Sequence, residues 1–382
     1  MRPRRIMLCA GLLLLFGALF TIAVSARAAG EGEDRRPPVE RNYSAAALME
    51  ANSGSFIFED SADTRLPMAS TTKIMTALVT LENCSLDELV TVPAEAVGVE
   101  GSSVYLRLGE ILTVRDLLHG LMLASGNDAA VALAVHVAGS VPRFAEMMNA
   151  RAAGMGLSDT RFVTPNGLDA EGHYTTAREL CLIAREAMKD PDLREIVSAR
   201  YYRTERGETP RTFNNKNRLL TSFEGAIGVK TGYTSSAGRC LVFAAERDGM
   251  LMIGVLLNCR PMFETASAML ASAFESFTAV AAVEAGTPVK TVFVENGAES
   301  VLELETKSSI IVLLRKGEAV SLRTEAIAAD VRAPVERGAE LGELRVYSGE
   351  ELVGSAPLVA ASSVPKMGFG RWFALLARLF AA

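Results

Sequence analysis

The hydrophobic period of this 382-residue chain changes twice, and those changes limit the folds open to it. Ala45-Ala46-Ala47-Leu48-Met49 and Ser55-Phe56-Ile57-Phe58 read as two strands around a turn at Asn52-Ser53-Gly54. From Ser70 onward apolar residues recur at helical spacing: towards Leu81, through 113–139 with a polar break at Ser125-Gly126-Asn127, over about 142–153, and over about 176–189. Beyond Glu224 the period returns to two. Ile227–Gly232 reads as a strand ending in glycine, and 241–245 and 251–257 form a hairpin about Arg247-Asp248-Gly249. A helix over about 262–277 follows. Strands, helices, then strands and a helix predict one α+β domain over 43–278, an antiparallel sheet built from both ends of the segment, flanked by helices and carrying a helical subdomain.

After about residue 281 the texture is all β. Val292–Val294, Val301–Leu304, Ile310–Leu314 and Leu344–Tyr347 alternate with turns at Asn296-Gly297, Lys316-Gly317 and Ser348-Gly349, which predicts a small separate β-domain over 281–360. No chemistry-bearing cluster lies in it.

The N-terminus reads as an export signal. Arg2, Arg4 and Arg5 precede the apolar run Ile6–Val24 and then Ser25-Ala26-Arg27-Ala28, so residues 1–28 are expected to be cleaved after Ala28. An uncleaved membrane anchor is the alternative, and either way the remainder is exported. Residues 29–42 are charged and proline-containing and read as a flexible lead-in. The net charge is −6, and the four arginines of the signal are part of the positive side, so nothing points to nucleic acid as a partner. Cys84, Cys181, Cys240 and Cys259 show no C-x-x-C spacing, and only His119, His136 and His173 are available beside them. No metal site and no cofactor is expected on that pattern. Cys240 and Cys259 flank the hairpin and are the one pair worth checking for a disulfide.

The chemistry concentrates in Pro67–Leu78, a turn entering a helix. Residues three apart share a helix face, so the Ser70 hydroxyl and the Lys73 amine can meet, with Ser and Thr placed where helix N–H groups need partners. Two further short motifs follow in order, Ser125-Gly126-Asn127 between helices and Lys230-Thr231-Gly232 on a strand. No Ser-His-Asp arrangement and no G-x-S-x-G is present to activate a serine by another route. Lys73 can be the base if burial and a second cation, with Lys230 the natural choice, lower its pKa.

The ordered trio resembles the signature shared by penicillin-binding proteins and class A β-lactamases. The resemblance extends over nearly the whole mature chain to the serine-type D-alanyl-D-alanine carboxypeptidases, the low-molecular-weight penicillin-binding proteins. It includes Ala69–Leu78, Ser125–Ala129, Thr164-Pro165-Asn166-Gly167-Leu168, Gly228–Thr234, the downstream β-domain and an apolar C-terminal tail. It implies Ser70 as nucleophile, Lys73 as base and Ser125 as proton relay to the leaving amine. Asn127 would hold Lys73 and the substrate backbone, Lys230 and Thr231 would face the terminal carboxylate, and Gly232 would allow close approach. Backbone N–H groups of Ser70 and Tyr233 would form the oxyanion hole, and Arg260 would help bind the carboxylate. Tyr233 stands where some members carry His. The implied partners are peptidoglycan stem peptides ending in D-Ala-D-Ala and β-lactam antibiotics.

A β-lactamase would be expected to add a glutamate in an E-x-x-x-N loop, and Thr164–Glu171 lacks that order. A catalytically inactive, membrane-tethered peptide binder remains the other alternative, and turnover of a D-Ala-D-Ala peptide separates all three. Finally, in 367–382, Phe369, Trp372, Phe373, Leu376, Leu379 and Phe380 fall on one helical face, with Arg371 and Arg378 on another. The segment is too short to span a bilayer and predicts an amphipathic helix lying in the membrane surface.

Overall fold

In the computed structural model, residues 21–24, 39–204, 210–317 and 320–370 are described. The signal and lead-in expected over 1–42 fall mostly outside them, as do residues 371–382 of the expected amphipathic helix. The chain forms two compact units, Gly30–Ala279 and Val280–Ala382 together with Met1–Ala29.

The first unit is built on a five-stranded antiparallel sheet. We label its strands β1 (Ala45–Glu50), β2 (Phe56–Asp60), β3 (Ala226–Thr234), β4 (Gly238–Arg247) and β5 (Met250–Leu257). Their order is β2-β1-β5-β4-β3, so the N-terminal pair closes onto the late trio, as the change of period predicts. The hairpin turn has φ 51° at Asp248 and 74° at Gly249, the two left-handed residues that match a right-twisted ribbon. β1 and β5 are buried at every position, because both faces of the sheet are covered. On one face Ala47, Met49, Val242, Ile253 and Val255 join the main helical core, and on the other Ala46, Leu48, Phe243 and Leu256 are buried where a long helix packs on β4 and β5.

The helices are α1 (Lys73–Leu81), α2 (Val114–Met122), α3 (Asn127–Ala138), α4 (Val141–Gly154), α5 (Ala177–Ala187), α6 (Pro191–Ser198), the short α7 (Leu219–Ser222) and α8 (Met262–Ser276). α2 starts with a capping box at Thr113 and Asp116, α4 with Ser140, α5 with Thr176 and α6 with Asp190. The polar break at Ser125-Gly126-Asn127 separates α2 from α3 as expected. Helix α6 and two small ribbons, Leu89–Thr91 with Ile111–Thr113 and Tyr201–Arg203 with Thr212–Asn214, go beyond the sequence reading. Three-residue strands are too short to show a period.

The second unit is all β. Its strands are β6 (Phe277–Val283), β7 (Pro288–Glu295), β8 (Val301–Thr306), β9 (Ile310–Arg315), β10 (Val320–Ala328), β11 (Val331–Arg332), β12 (Glu340–Ser348) and β13 (Glu351–Ala360). One sheet runs Thr21–Val24, β10, β12, β13, β8, β7, β11, and β6 pairs with β9 separately. Leu302, Leu304, Val312, Leu344, Val346 and Leu358 form a single core between them. β6, β10, β11 and β13 go beyond the strands that the sequence predicts. Arg323 and Glu325 interrupt β10, while Gly354 and Pro357 read as breakers in β13. Pro357 is tolerated because pairing with β8 begins only at Leu358.

Candidate active site

Ser70 lies on a single 3-10 turn, Ala69–Thr72, that runs directly into α1. Ala69 takes φ 48°, a left-handed conformation uncommon for a side chain with a Cβ. The hydroxyls expected to cap the helix do something else. Thr71 Oγ1 donates back to the Met68 carbonyl (2.6 Å) and Thr72 Oγ1 to the Ala69 carbonyl (2.8 Å), and neither helix start has a side-chain cap. They lock the bend that presents Ser70.

Lys73, the first residue of α1, is completely buried. Its Nζ lies 2.9 Å from Ser70 Oγ, 2.7 Å from Asn127 Oδ1 and 2.5 Å from the Asn166 carbonyl. Burial, then the charges of Lys230 and Lys216, hold its pKa well below the usual lysine value, against the pull of Asp128. A neutral amine has two N–H donors and one lone pair. The two carbonyl oxygens take the donors, which leaves the lone pair for the Ser70 O–H.

Ser125 occupies the break between α2 and α3 with φ 65°, and its Oγ accepts from Lys230 Nζ (3.0 Å), which also donates to the Thr231 carbonyl (2.9 Å). Lys230 is buried, and burial with Lys216 nearby lowers its pKa to about 7. Asn127 begins α3 and donates through Nδ2 to the Glu100 carbonyl (2.6 Å), so its Oδ1 is aimed at Lys73. Asp128 next to it accepts from Ser103 Oγ and from the backbone N–H groups of Val104 and Leu106, pinning the loop beside the site.

Glycines let the parts close up. A Cβ on Gly232 would stand 2.9 Å from the Ser70 nitrogen, so only glycine lets β3 pass this close to the nucleophile turn. A Cβ on Gly167 would collide with the Ala69 carbonyl. That second contact explains the Thr164–Leu168 loop: it underlies the turn, with the Pro165 carbonyl accepting from Thr76 Oγ1 (2.6 Å) and the Asn166 carbonyl on Lys73. His173 Nε2 meets Thr72 Oγ1 (2.8 Å) while Nδ1 accepts from the Val163 N–H, and burial lowers its pKa to about 4. It packs and braces, as its loop position suggests.

The structure therefore brings Ser70, Lys73, Ser125, Asn127, Lys230, Thr231 and Gly232 together. Tyr233 follows on β3 with an exposed ring beneath the Arg239 guanidinium. Arg260 is exposed and lines an open groove with Arg218, Arg239 and Glu264. Cys240 and Cys259 are both free thiols, as are Cys84 and Cys181. Cys259 Sγ donates to Thr265 Oγ1 and Cys240 Sγ to the Ala237 carbonyl. Three participants escaped the sequence reading. Lys216, whose Nζ donates to Ser102 Oγ (3.1 Å), and Asp128 have no local signal for proximity, and the Asn166 contact is made by a backbone carbonyl that every residue possesses.

A buried lysine amine on a helix-start serine, a serine–lysine pair facing it and a glycine strand alongside define a serine acyl-transfer site of the penicillin-binding class. Comparison with known proteins agrees. Residues 33–260 match the D-alanyl-D-alanine carboxypeptidase family and residues 277–366 match the C-terminal domain of penicillin-binding protein 5. The chain is 33% identical over 369 residues to D-alanyl-D-alanine carboxypeptidase DacF of Bacillus subtilis, covering 93% of this chain and 94% of that one. It is 32% identical over 340 residues to DacC of Escherichia coli, covering 84% of each. The solved structure of penicillin binding protein 5 from Haemophilus influenzae superposes with a TM-score of 0.72 at 28% identity, over 86% of this chain and 99% of that one. The chain belongs to the D-alanyl-D-alanine carboxypeptidase family, as a serine-type enzyme and penicillin-binding protein of cell-wall metabolism.

Proposed function

We propose that the residues above divide the reaction as follows. Ser70 Oγ attacks the carbonyl between the two terminal D-alanines while neutral Lys73 takes its proton. The oxyanion rests between the backbone N–H groups of Ser70 and Tyr233. Protonated Lys230 and Thr231 hold the free carboxylate, with Arg260 assisting from the groove. Ser125 passes a proton to the departing D-alanine amine and takes in return the proton that Lys73 removed from Ser70, so Lys73 is neutral again and Lys230 keeps its charge on the carboxylate. Water then attacks the acyl-enzyme with Lys73 again as base, freeing Ser70 and the shortened stem peptide. A β-lactam ring enters the same way, but its remnant blocks the water, so the acyl-enzyme persists.

The observation that carries this reading is Lys73: buried, depressed in pKa and 2.9 Å from Ser70 Oγ. The β-lactamase alternative is disfavoured by the same contacts, since Lys73 is met by a backbone carbonyl where a deacylating glutamate would be needed. Mass spectrometry of protein treated with benzylpenicillin should find a long-lived adduct on the Ser70 peptide, and a peptide ending in D-Ala-D-Ala should release D-alanine. An adduct on another serine overturns the assignment. Rapid loss of the adduct with penicillin turnover restores the β-lactamase, and labelling without D-alanine release leaves an inactive binder.

Location is part of the same proposal. After export and cleavage behind Ala28, the enzyme would sit on the outer face of the cytoplasmic membrane through an amphipathic helix over 367–382. Among the described residues no helix is long and apolar enough to cross a membrane. Truncation after Val364 should leave peptide hydrolysis in solution unchanged and free the signal-cleaved enzyme from membranes. Finding the truncated protein still in the membrane pellet would move the attachment to the β-domain.

A further inference from the structure

We propose that Cys84, Glu88 and His136 form a binding site for one divalent cation of the zinc class, which ties together the far ends of the two helices that carry Lys73 and Asn127. Cys84 and Glu88 lie on one short stretch, His136 lies 48 residues beyond Glu88, and no motif joins them. In the fold their ligating atoms, one thiol sulfur, one carboxylate oxygen and one imidazole nitrogen, all lie within 4.8 Å of one another.

Each ligand is held by a different piece of the helical core. The Cys84 N–H donates to the Thr80 carbonyl (2.9 Å), which holds Cys84 just past the C-terminal end of α1. The Glu88 carbonyl accepts from the Val114 N–H (2.9 Å) at the start of α2. His136 lies in the last turn of α3, and its Nε2 is already 2.8 Å from Glu88 Oε1. α1 and α3 pack on each other, and each begins at the active site, with Lys73 and Asn127 as their first residues. At 1.5 Å per residue the cluster lies roughly 12–18 Å from those residues, too far for a part in the chemistry. Its effect is on how firmly the two helices are held.

The donor set selects the ion. A thiolate, a carboxylate and a neutral imidazole carry two negative charges, which a divalent cation neutralises. Sulfur disfavours calcium and magnesium, and three protein ligands leave one tetrahedral position for water. On binding, the S–H proton passes to solvent and a metal–sulfur bond takes its place, while the imidazole gives up its Nε2 proton, keeps one on Nδ1 and turns the freed Nε2 lone pair to the metal. Glu88 and Cys84 are partly exposed, which provides the way in. Arg115, next to Val114 on α2, is paired with Asp87 at 3.5 Å.

The test uses the signal-free protein, stripped of metal and kept reduced. Cobalt(II) should bind one per chain and give a thiolate-to-cobalt charge-transfer band, which zinc then displaces. Zinc at a hundredfold excess over its Kd should raise Tm by about 5–10 °C. Cys84→Ser should abolish the band, and His136→Asn should weaken zinc binding at least about tenfold. Both variants should still be acylated by benzylpenicillin at Ser70, which reports that they fold; if Cys84→Ser does not, His136→Asn carries the test. No charge-transfer band, a band that survives in Cys84→Ser, or an unchanged Tm with zinc would overturn the proposal.

Discussion

The two units of this chain bury very different things. In the first, Lys73, Lys230, Asn127, Asp128, Ser125 and His173 are all buried, and nearly all meet around one serine. In the second, Thr306 and Thr324 are the only buried polar side chains among the described residues, and strands such as Val301–Thr306 and Ile310–Arg315 alternate buried with half-buried or exposed positions. A buried lysine is expensive to desolvate and persists only where the surrounding fold is strong enough to hold it. The sheet of the first unit, covered on both faces, supplies that strength. The β unit has no such cost to offset, and its residues serve packing.

The comparison breaks most visibly at Ser70. Ser70→Ala should lower D-alanine release by about 10⁴-fold or more and remove covalent penicillin labelling, with Tm nearly unchanged, because a small half-buried side chain is lost but the attacking oxygen is gone. Lys73→Ala should slow acylation by several orders of magnitude, as measured by stopped-flow penicillin binding.

A pair of variants then sharpens the contrast. Gly232→Ala should cut kcat/KM by about 10²-fold with a small change in Tm, since its Cβ would press on the Ser70 N–H proposed to hold the oxyanion. Leu304→Ala, fully buried in the β unit, should do the reverse. It should cost about 2–5 kcal/mol of stability, read by urea unfolding of that unit, and leave kcat/KM intact. A catalytic loss in Leu304→Ala well below its unfolding range would show that the β unit does more than pack.

Protonation offers a third test. Lys73 must be neutral to take a proton, and its lowered pKa brings the rising limb of kcat/KM down from the ordinary lysine range. Lys230 must be protonated to hold a carboxylate, so with its pKa at about 7 a falling limb begins near there in the free enzyme. The profile should be bell-shaped. Lys230→Arg, which keeps its charge, should retain the rising limb and lose the falling one. The same shift has a sign in stability: between about 7 and the unfolded value near 10.4 the unfolded chain binds more protons, so this contribution grows with pH across that window. If Lys230→Arg keeps the falling limb, carboxylate binding is not what Lys230 protonation controls.

The smallest effect is expected from Thr234→Val. It removes the 2.9 Å hydrogen bond to Asp169 that links the end of β3 to the loop beneath Ser70, and should raise KM by a few-fold at about 1 kcal/mol or less in stability.

Much of this was legible in the residues alone. The changes of period placed the five-stranded sheet and the Ser125 break, because burial on a helix or strand repeats at a fixed interval. The three short motifs named Ser70, Lys73, Ser125, Asn127, Lys230, Thr231 and Gly232, since each demands a particular side chain at a particular spacing. What only the tertiary structure decided depends on distance between segments far apart in sequence. The Asn166 carbonyl on Lys73, Lys216 as an added cation, the back-bonding of Thr71 and Thr72, the free thiols of Cys240 and Cys259 and the meeting of Cys84 with His136 are of that kind. A local pattern fixes which face a residue turns. Which partner waits across that face is set by how the helices and the sheet close on one another, and sequence spacing carries no measure of it.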